Sequence, residues 1–157
     1  MLNEYLEFSR NQKNEETEIV DINNLITSII SKYDSKKIVA NFEKNLKISI
    51  RLNAIKRCFV NLIDNGLAYG QKVEISTKKA INDIVISVDD DGPGIPEKEY
   101  RNVMRPFYRI DKSRGQNKSG VGLGLSITND IIRSHGGNIT LEKSHMGGLK
   151  AKIYLPL

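Results

Sequence analysis

The sequence predicts an α/β two-layer sandwich, a mixed and mostly antiparallel sheet covered on one face by about three helices. Three observations lead there. Segments that alternate apolar and polar residues with period two are interleaved with segments of helical period. The strand-like segments come in pairs joined by polar turns. The chain has 157 residues, which suits one domain, and at this size roughly 70% of the unfolded surface can be buried.

The elements follow in chain order. Leu2, Tyr5, Leu6 and Phe8 recur at helical spacing, as the end of an amphipathic helix over residues 1–13 that begins without a cap. Residues 11–17 are polar and charged, as in a linker, and residues 18–21 suit a short strand. Asp21 or Asn23 can cap a helix with Leu25, Ile26, Ile29 and Ile30 on one face. Residues 38–42 and 46–50 alternate as strands do. Asn53 starts a helix whose buried stripe is Ile55, Phe59, Leu62, Ile63 and Leu67. Residues 73–77 and 84–88 read as a hairpin turning at Asn82 and Asp83.

Beyond Val88 the character changes. Residues 89–96 are expected to form an acidic loop rich in Gly and Pro, and a short helix is expected over residues 97–104. Residues 111–124 are rich in Gly, Ser, Lys and Arg, and a stretch that long generally carries function. Residues 125–134 have a helical apolar period and end at Gly136 and Gly137. Residues 138–142 and 149–155 read as a final antiparallel pair across Gly147 and Gly148. The sequence has no internal repeat and no low-complexity tract.

Composition narrows the function. Lys and Arg number 24 against 19 Asp and Glu, a net charge of +5. This mild excess admits an anionic ligand without pointing to nucleic acid, and Trp, the best base-stacking residue, is absent. One cysteine, Cys58, rules out an internal disulfide and suits a reducing compartment. With two histidines beside it, no Cys/His zinc site can be assembled. No run of apolar residues is long enough to span a bilayer, and residues 1–10 lack the apolar core of a signal peptide.

Three segments hold residues that packing does not explain. Asn61 and Asn65 share one helix face, where a carboxamide oxygen can ligate Mg²⁺. Taken alone, the pair also fits two solvated asparagines. Asp89-Asp90-Asp91-Gly92-Pro93-Gly94-Ile95-Pro96 places carboxylates at a strand end beside glycines that let backbone approach a ligand. A tight acidic turn fits that pattern equally. Gly120-Val121-Gly122-Leu123-Gly124-Leu125 opens into a helix, and backbone N–H groups there can bind an anion. A flexible connector is the other reading. The segment is neither a dinucleotide-binding fingerprint nor a Walker motif.

The order and spacing of these segments, with Arg105-Pro106-Phe107-Tyr108-Arg109 between them and Gly147-Gly148 after them, resemble the catalytic ATP-binding domain of sensor histidine kinases. They match that family's N box, first glycine box, F box, second glycine box and a weaker final glycine pair, over about residues 19–157. Residues 89–95 and 106–109 look most like the EnvZ-like osmosensor branch. The resemblance implies a Bergerat-type fold, shared with DNA gyrase B and heat-shock chaperone ATPases.

The resemblance also assigns roles. It implies ATP and Mg²⁺ as cofactors, with Asn65 on the metal and Asn61 near the phosphates. Asp90 would accept the adenine amino group, Gly92, Gly94 and Ile95 would pass under the base, and Tyr69 would close its pocket. Phe107 would anchor a lid over residues 108–122. Gly120, Val121, Gly122, Leu123, Gly124 and Leu125 would wrap the triphosphate. Arg109, Arg114 and Lys118 are either phosphate contacts or a solvated basic loop. Two positions depart from the family, which often has Ala where Gly66 stands and a basic residue where Ala68 stands. A helical Gly costs about 0.8–1 kcal/mol against Ala.

Hydrolysing relatives carry a Glu general base four residues before the metal-binding Asn. Here that residue is Asn61, which cannot take a proton. Asp64 is expected to point away, about 100° round the helix from Asn65. The implied reaction is therefore phosphoryl transfer to a histidine on a separate helical hairpin, with a nucleotide-binding regulatory module as the alternative. His135 and His145 lack the acceptor context and are expected at the surface. Residues 1–17 would be the end of the hairpin helix plus a linker, and residues 18–157 the catalytic domain. The partners implied are that hairpin and a response regulator of the parent kinase, with no nucleic acid. The isolated domain is expected to be monomeric and cytoplasmic, as the cytoplasmic part of an inner-membrane sensor kinase.

Overall fold

The computed structural model describes residues 15–106, 108 and 124–157. The elements run β1 (Glu18–Asp21), α1 (Ile22–Ile30), β2 (Ile38–Phe42), β3 (Lys47–Ile50), α2 (Leu52–Tyr69), β4 (Val73–Lys79) and β5 (Asp83–Asp90). Then come α3 (Gly124–Ser134), β6 (Asn138–Lys143) and β7 (Leu149–Pro156). Five strands form one sheet in the order β2-β4-β5-β7-β6. The β2–β4 pair is parallel and the other three pairs are antiparallel.

Strand alternation sorts the sheet into two faces. Ile75, Val88 and Ala151 lie side by side in register, as do Ile86, Ile153 and Ile139, and all are buried. The helices meet them with Ile22, Ile26 and Ile29 from α1, Ile55, Phe59, Leu62 and Ile63 from α2, and Ile127, Ile131 and Ile132 from α3. Cys58 is fully buried in this core. The opposite face carries a row of charged residues, Glu74, Asp89, Lys150 and Glu142, at matching register. This is the predicted sandwich.

Several local expectations change. The sequence pattern shows two strands at residues 18–21 and 46–50 but not their pairing: β1 and β3 form a separate antiparallel ribbon outside the main sheet. Leu46 precedes β3, and its carbonyl accepts the N–H of Ile22 instead. Asp21 caps α1 by accepting from Asn24 N at 3.1 Å. Asp89 and Asp90 belong to β5 rather than to a loop, because β4 pairs with both of them and β7 with Asp89. Residues 97–104 form two single 3₁₀ turns, Glu97–Glu99 and Asn102–Met104, in place of a helix. Only Val103 in them is buried, so no apolar stripe supports a longer helix.

The start of α2 has an unusual cap. Its N-cap residue, Arg51, makes no side-chain cap bond. Glu15 substitutes from the segment before β1, accepting from Asn53 N at 2.7 Å and Ala54 N at 3.0 Å. A carboxylate there also complements the helix dipole. His135 completes the cap: its Nε2 accepts from Arg51 N at 3.1 Å, and its Nδ1 lies 2.8 Å from the Ile131 carbonyl. His135 is therefore half-buried and structural, a correction to the expected surface placement. His145 is exposed as expected.

Those contacts require a neutral imidazole that donates from Nδ1. Burial, and to a smaller extent the Arg51 charge, holds the His135 pKa below the usual value. The unfolded chain then binds a proton near pH 6.5 that the folded chain refuses. The stability that His135 contributes is complete above pH ~6.5 and is lost as pH falls through the folded value. The urea midpoint is expected to fall between pH 7 and pH 5, and His135→Gln is expected to flatten that fall. An equal fall in both proteins would show that His135 does not titrate with folding.

Candidate nucleotide-binding site

The N-box helix α2 supplies the first wall. Asn61 and Asn65 are half-buried on one of its faces. Asn61 Nδ2 reaches the Gly124 carbonyl at 3.5 Å, which joins α2 to the first turn of α3. The Gly124 carbonyl also accepts from Thr128 Oγ1 at 2.9 Å. The N-box thus stands beside a helix N-terminus, where unpaired N–H groups favour an anion. Asp64 is turned away and accepts from Tyr33 Oη at 2.7 Å. Burial and this bond push the Tyr33 pKa up.

The end of β5 supplies the second wall. Asp90 Oδ1 accepts from Gly92 N at 3.0 Å and Leu149 N at 3.2 Å. Both bonds fall on one oxygen, so Oδ2 keeps its acceptor capacity. Burial raises the Asp90 pKa, while the N–H groups of Leu149 and Gly92 oppose the rise. Gly94, at φ +75°, carries the loop past Gly148, and Ile95 is half-buried after it. Asp91 faces elsewhere: its Oδ1 accepts from Gln71 N at 2.7 Å and Lys72 N at 2.9 Å, tying the α2–β4 connection to the glycine loop. Those two bonds hold its pKa below the usual range.

Tyr69 ends α2 with its side chain 38% exposed, and its carbonyl backs onto Gly92. Leu125 packs against the core from the first turn of α3. At Gly124 an added Cβ would meet nothing within 4 Å among the described residues. Phe107, Arg109, Arg114, Lys118, Gly120, Val121, Gly122 and Leu123 lie outside the described residues, as does the proposed lid apart from Tyr108. Tyr108 donates its hydroxyl to Glu99.

Two glycines gain a physical reason. Gly66 is buried, and a Cβ there would stand 2.8 Å from Val73 Cγ2 and 3.3 Å from Asp90 Cβ. The sequence shows only its helix cost. The structure shows the close approach of α2 to β4 and β5 that it permits. Gly66→Ala is expected to cost about 1–3 kcal/mol through overpacking. Much less of that cost should remain in a Val73→Ala background, read from urea unfolding as a double-mutant cycle. Additive costs would mean that the Val73 contact is not the cause.

Gly148, which the sequence shows only as part of the final glycine pair with no role of its own, and Leu149, which it does not single out, also meet Asp90. A Cβ on Gly148 would stand 2.0 Å from Asp90 Oδ1 and 2.7 Å from Gly92 N. Gly148 N donates to the Asp90 carbonyl at 3.1 Å. The Gly147-Gly148 pair was the available signal, but it reads first as a hairpin turn.

A carboxylate at a strand end, glycines packed closely round it and paired asparagines on α2 fit an ATPase-type nucleotide-binding module. Known proteins agree. The model of the family described as histidine kinase-, DNA gyrase B- and HSP90-like ATPase matches residues 50–157. The chain belongs to this family. The sensor histidine kinase CpxA of Escherichia coli is 33% identical over the full chain, which spans 36% of that protein. The sensor histidine kinase GtrS of Pseudomonas aeruginosa is 42% identical over 103 residues, 66% of this chain and 21% of that protein. The chain thus spans about a fifth to a third of the length of these relatives. Among solved structures, the catalytic domain of the histidine kinase ThkA is 26% identical with a TM-score of 0.76, covering 90% of this chain and 97% of that one. The match stands at the level of sensor histidine kinases and does not single out the osmosensor branch.

Proposed function

We propose that this chain is the catalytic module of a sensor histidine kinase, which binds ATP with Mg²⁺ and passes the γ-phosphoryl group to a histidine on a separate helical hairpin. The observation that carries it is the Asp90 carboxylate at the end of β5, pinned by two N–H groups on Oδ1, with Gly92 and Gly148 letting backbone pack closely round that oxygen. Oδ2 would accept from the exocyclic amine of adenine. The Asn65 carboxamide is a hard oxygen donor that fits Mg²⁺, a metal commonly held by few protein groups plus substrate phosphates. When bound, that ion neutralises phosphate charge. Asn61 and the first turn of α3 would orient the phosphates. In the family's terms, Tyr69, Gly94 and Ile95 would line the base side. Phe107, Arg109, Arg114, Lys118 and residues 120–125 would close the phosphate side.

Transfer is favoured over hydrolysis. Asn61 occupies the position of a general base and cannot accept a proton. Asp64, the nearest carboxylate on α2, is held by Tyr33. Catalysis would therefore rest on positioning and charge stabilisation at the γ-phosphate. The partners in this reading are the phosphoacceptor hairpin and a response regulator, with residues 1–17 as the hairpin's last turns and linker and 18–157 as a monomeric catalytic domain. Among the described residues no helix is long and apolar enough to cross a membrane. A cytoplasmic site suits ATP as donor.

Incubation with γ-labelled ATP and Mg²⁺ is expected to leave this chain unlabelled. Adding a helical hairpin that carries its acceptor histidine is expected to label the hairpin. Label on His135, or phosphate release without transfer, would overturn the proposal. The His135 ring nitrogens are both engaged, which supports the expected result.

A further inference from the structure

The sheet face turned away from the helices holds a buried carboxylate that the proposed reaction leaves unused. Asp89 is 2% exposed. Its Oδ1 accepts from Ser144 Oγ at 2.7 Å, with His145 Nδ1 at 3.6 Å and Lys150 Nζ at 3.8 Å. Glu74 faces it in register from β4, and its Oε2 lies 3.8 Å from His145 Nε2.

Ser144 is itself 4% exposed and organises the turn between β6 and β7. Its N–H donates to the Gly148 carbonyl at 2.8 Å, and its carbonyl accepts from Gly147 N at 3.0 Å. Its hydroxyl also accepts from Met146 N at 3.0 Å. The far end of the same turn meets the nucleotide site, where Gly148 N donates to the Asp90 carbonyl and Leu149 N donates to Asp90 Oδ1. Asp89 and Asp90 are adjacent and point to opposite faces. The turn is therefore gripped from both faces of β5 at once.

We propose that Ser144 and Asp89 are positioning residues that set nucleobase specificity. Their bond seats the turn so that Leu149 N holds the Asp90 carboxylate toward the base edge. This rests on the reading that Asp90 accepts from adenine. Adenine presents an amino donor where guanine presents a carbonyl oxygen. A carboxylate held in place attracts the first and repels the second. Without the Ser144–Asp89 bond the turn shifts, Leu149 N releases Asp90, and the carboxylate can rotate off the base edge. Attraction to ATP and repulsion of GTP then weaken together.

The test titrates the full chain with Mg-ATP and, by competition, with Mg-GTP. Ser144→Ala is expected to lower the preference for ATP over GTP by about tenfold, the effect of a lost buried hydrogen bond. Asp89→Asn keeps an oxygen that can accept from Ser144, and is expected to keep the preference within about twofold of the parent. If Ser144→Ala does not fold, Ser144→Cys, with a longer and weaker donor, is expected to lower the preference in the same direction. A parallel loss of affinity for both nucleotides would mark Ser144 as structural only and overturn the proposal. Asp90→Asn separates the two claims. If it abolishes the preference while Ser144→Ala leaves it intact, the positioning role alone is wrong. If Asp90→Asn also leaves it intact, the reading of Asp90 fails and this proposal with it.

Discussion

Gly148→Ala is expected to abolish adenine-nucleotide binding and to lower stability by about 1–3 kcal/mol. The new methyl carbon would stand 2.0 Å from Asp90 Oδ1, 2.5 Å from the Asp90 carbonyl oxygen and 2.7 Å from Gly92 N. Two of those atoms are backbone, which cannot rotate aside, so β5 and the turn must part. Parting breaks the Gly148–Asp90 bond and withdraws Leu149 N from the carboxylate. Gly147 is the internal control. Its φ of +102° makes alanine strained, at about 1–3 kcal/mol, yet an added Cβ there meets nothing within 4 Å. Gly147→Ala should therefore lose stability while keeping most of its nucleotide affinity. Calorimetric titration and urea unfolding of both variants separate the effects. Equal affinity losses would mean that backbone strain, not crowding at Asp90, decides.

Asp90→Asn is expected to lose ATP binding by a hundredfold or more, on the order of 3 kcal/mol, with little change in stability. The amide oxygen can still accept from Gly92 N and Leu149 N, so the strand end stays satisfied. The atom facing the base changes from an acceptor to a donor, which meets a donor on adenine. Asp90→Ala is the contrast, because it leaves two N–H groups without their acceptor and should cost about 1–3 kcal/mol of stability as well. Unchanged affinity in Asp90→Asn would move the base elsewhere.

The fold was legible where local pattern decides. The alternation of Ile84, Ile86 and Val88 and the stripe of Ile55, Phe59, Leu62 and Ile63 give strand and helix directly. Where β5 ends was not legible, because Asp89 and Asp90 are poor strand formers in front of a Gly-Pro-Gly run. Their place is fixed by pairing with Glu74, Val73 and Lys150, which are distant in sequence. The β1–β3 ribbon and the Glu15 cap on α2 are long-range in the same way. In the site, Asn61, Asn65 and Asp90 stood out as residues whose types packing does not demand. Leu149 and Ser144 did not, and Gly148 showed only as part of a glycine pair, since a turn accounts for all three locally. Only their meeting with β5 shows what they hold. Gly66 is the instructive case: its helix penalty is visible in sequence, and the Val73 contact that makes it necessary is not.

The measurement that bears most directly on the account is calorimetric titration of this chain with ATP, with and without Mg²⁺, beside Asn65→Ala. The account predicts saturable one-to-one binding that strengthens with Mg²⁺, and loss of that Mg²⁺ enhancement in Asn65→Ala. Absence of ATP binding in the parent chain, or an identical Mg²⁺ enhancement in the variant, would contradict it.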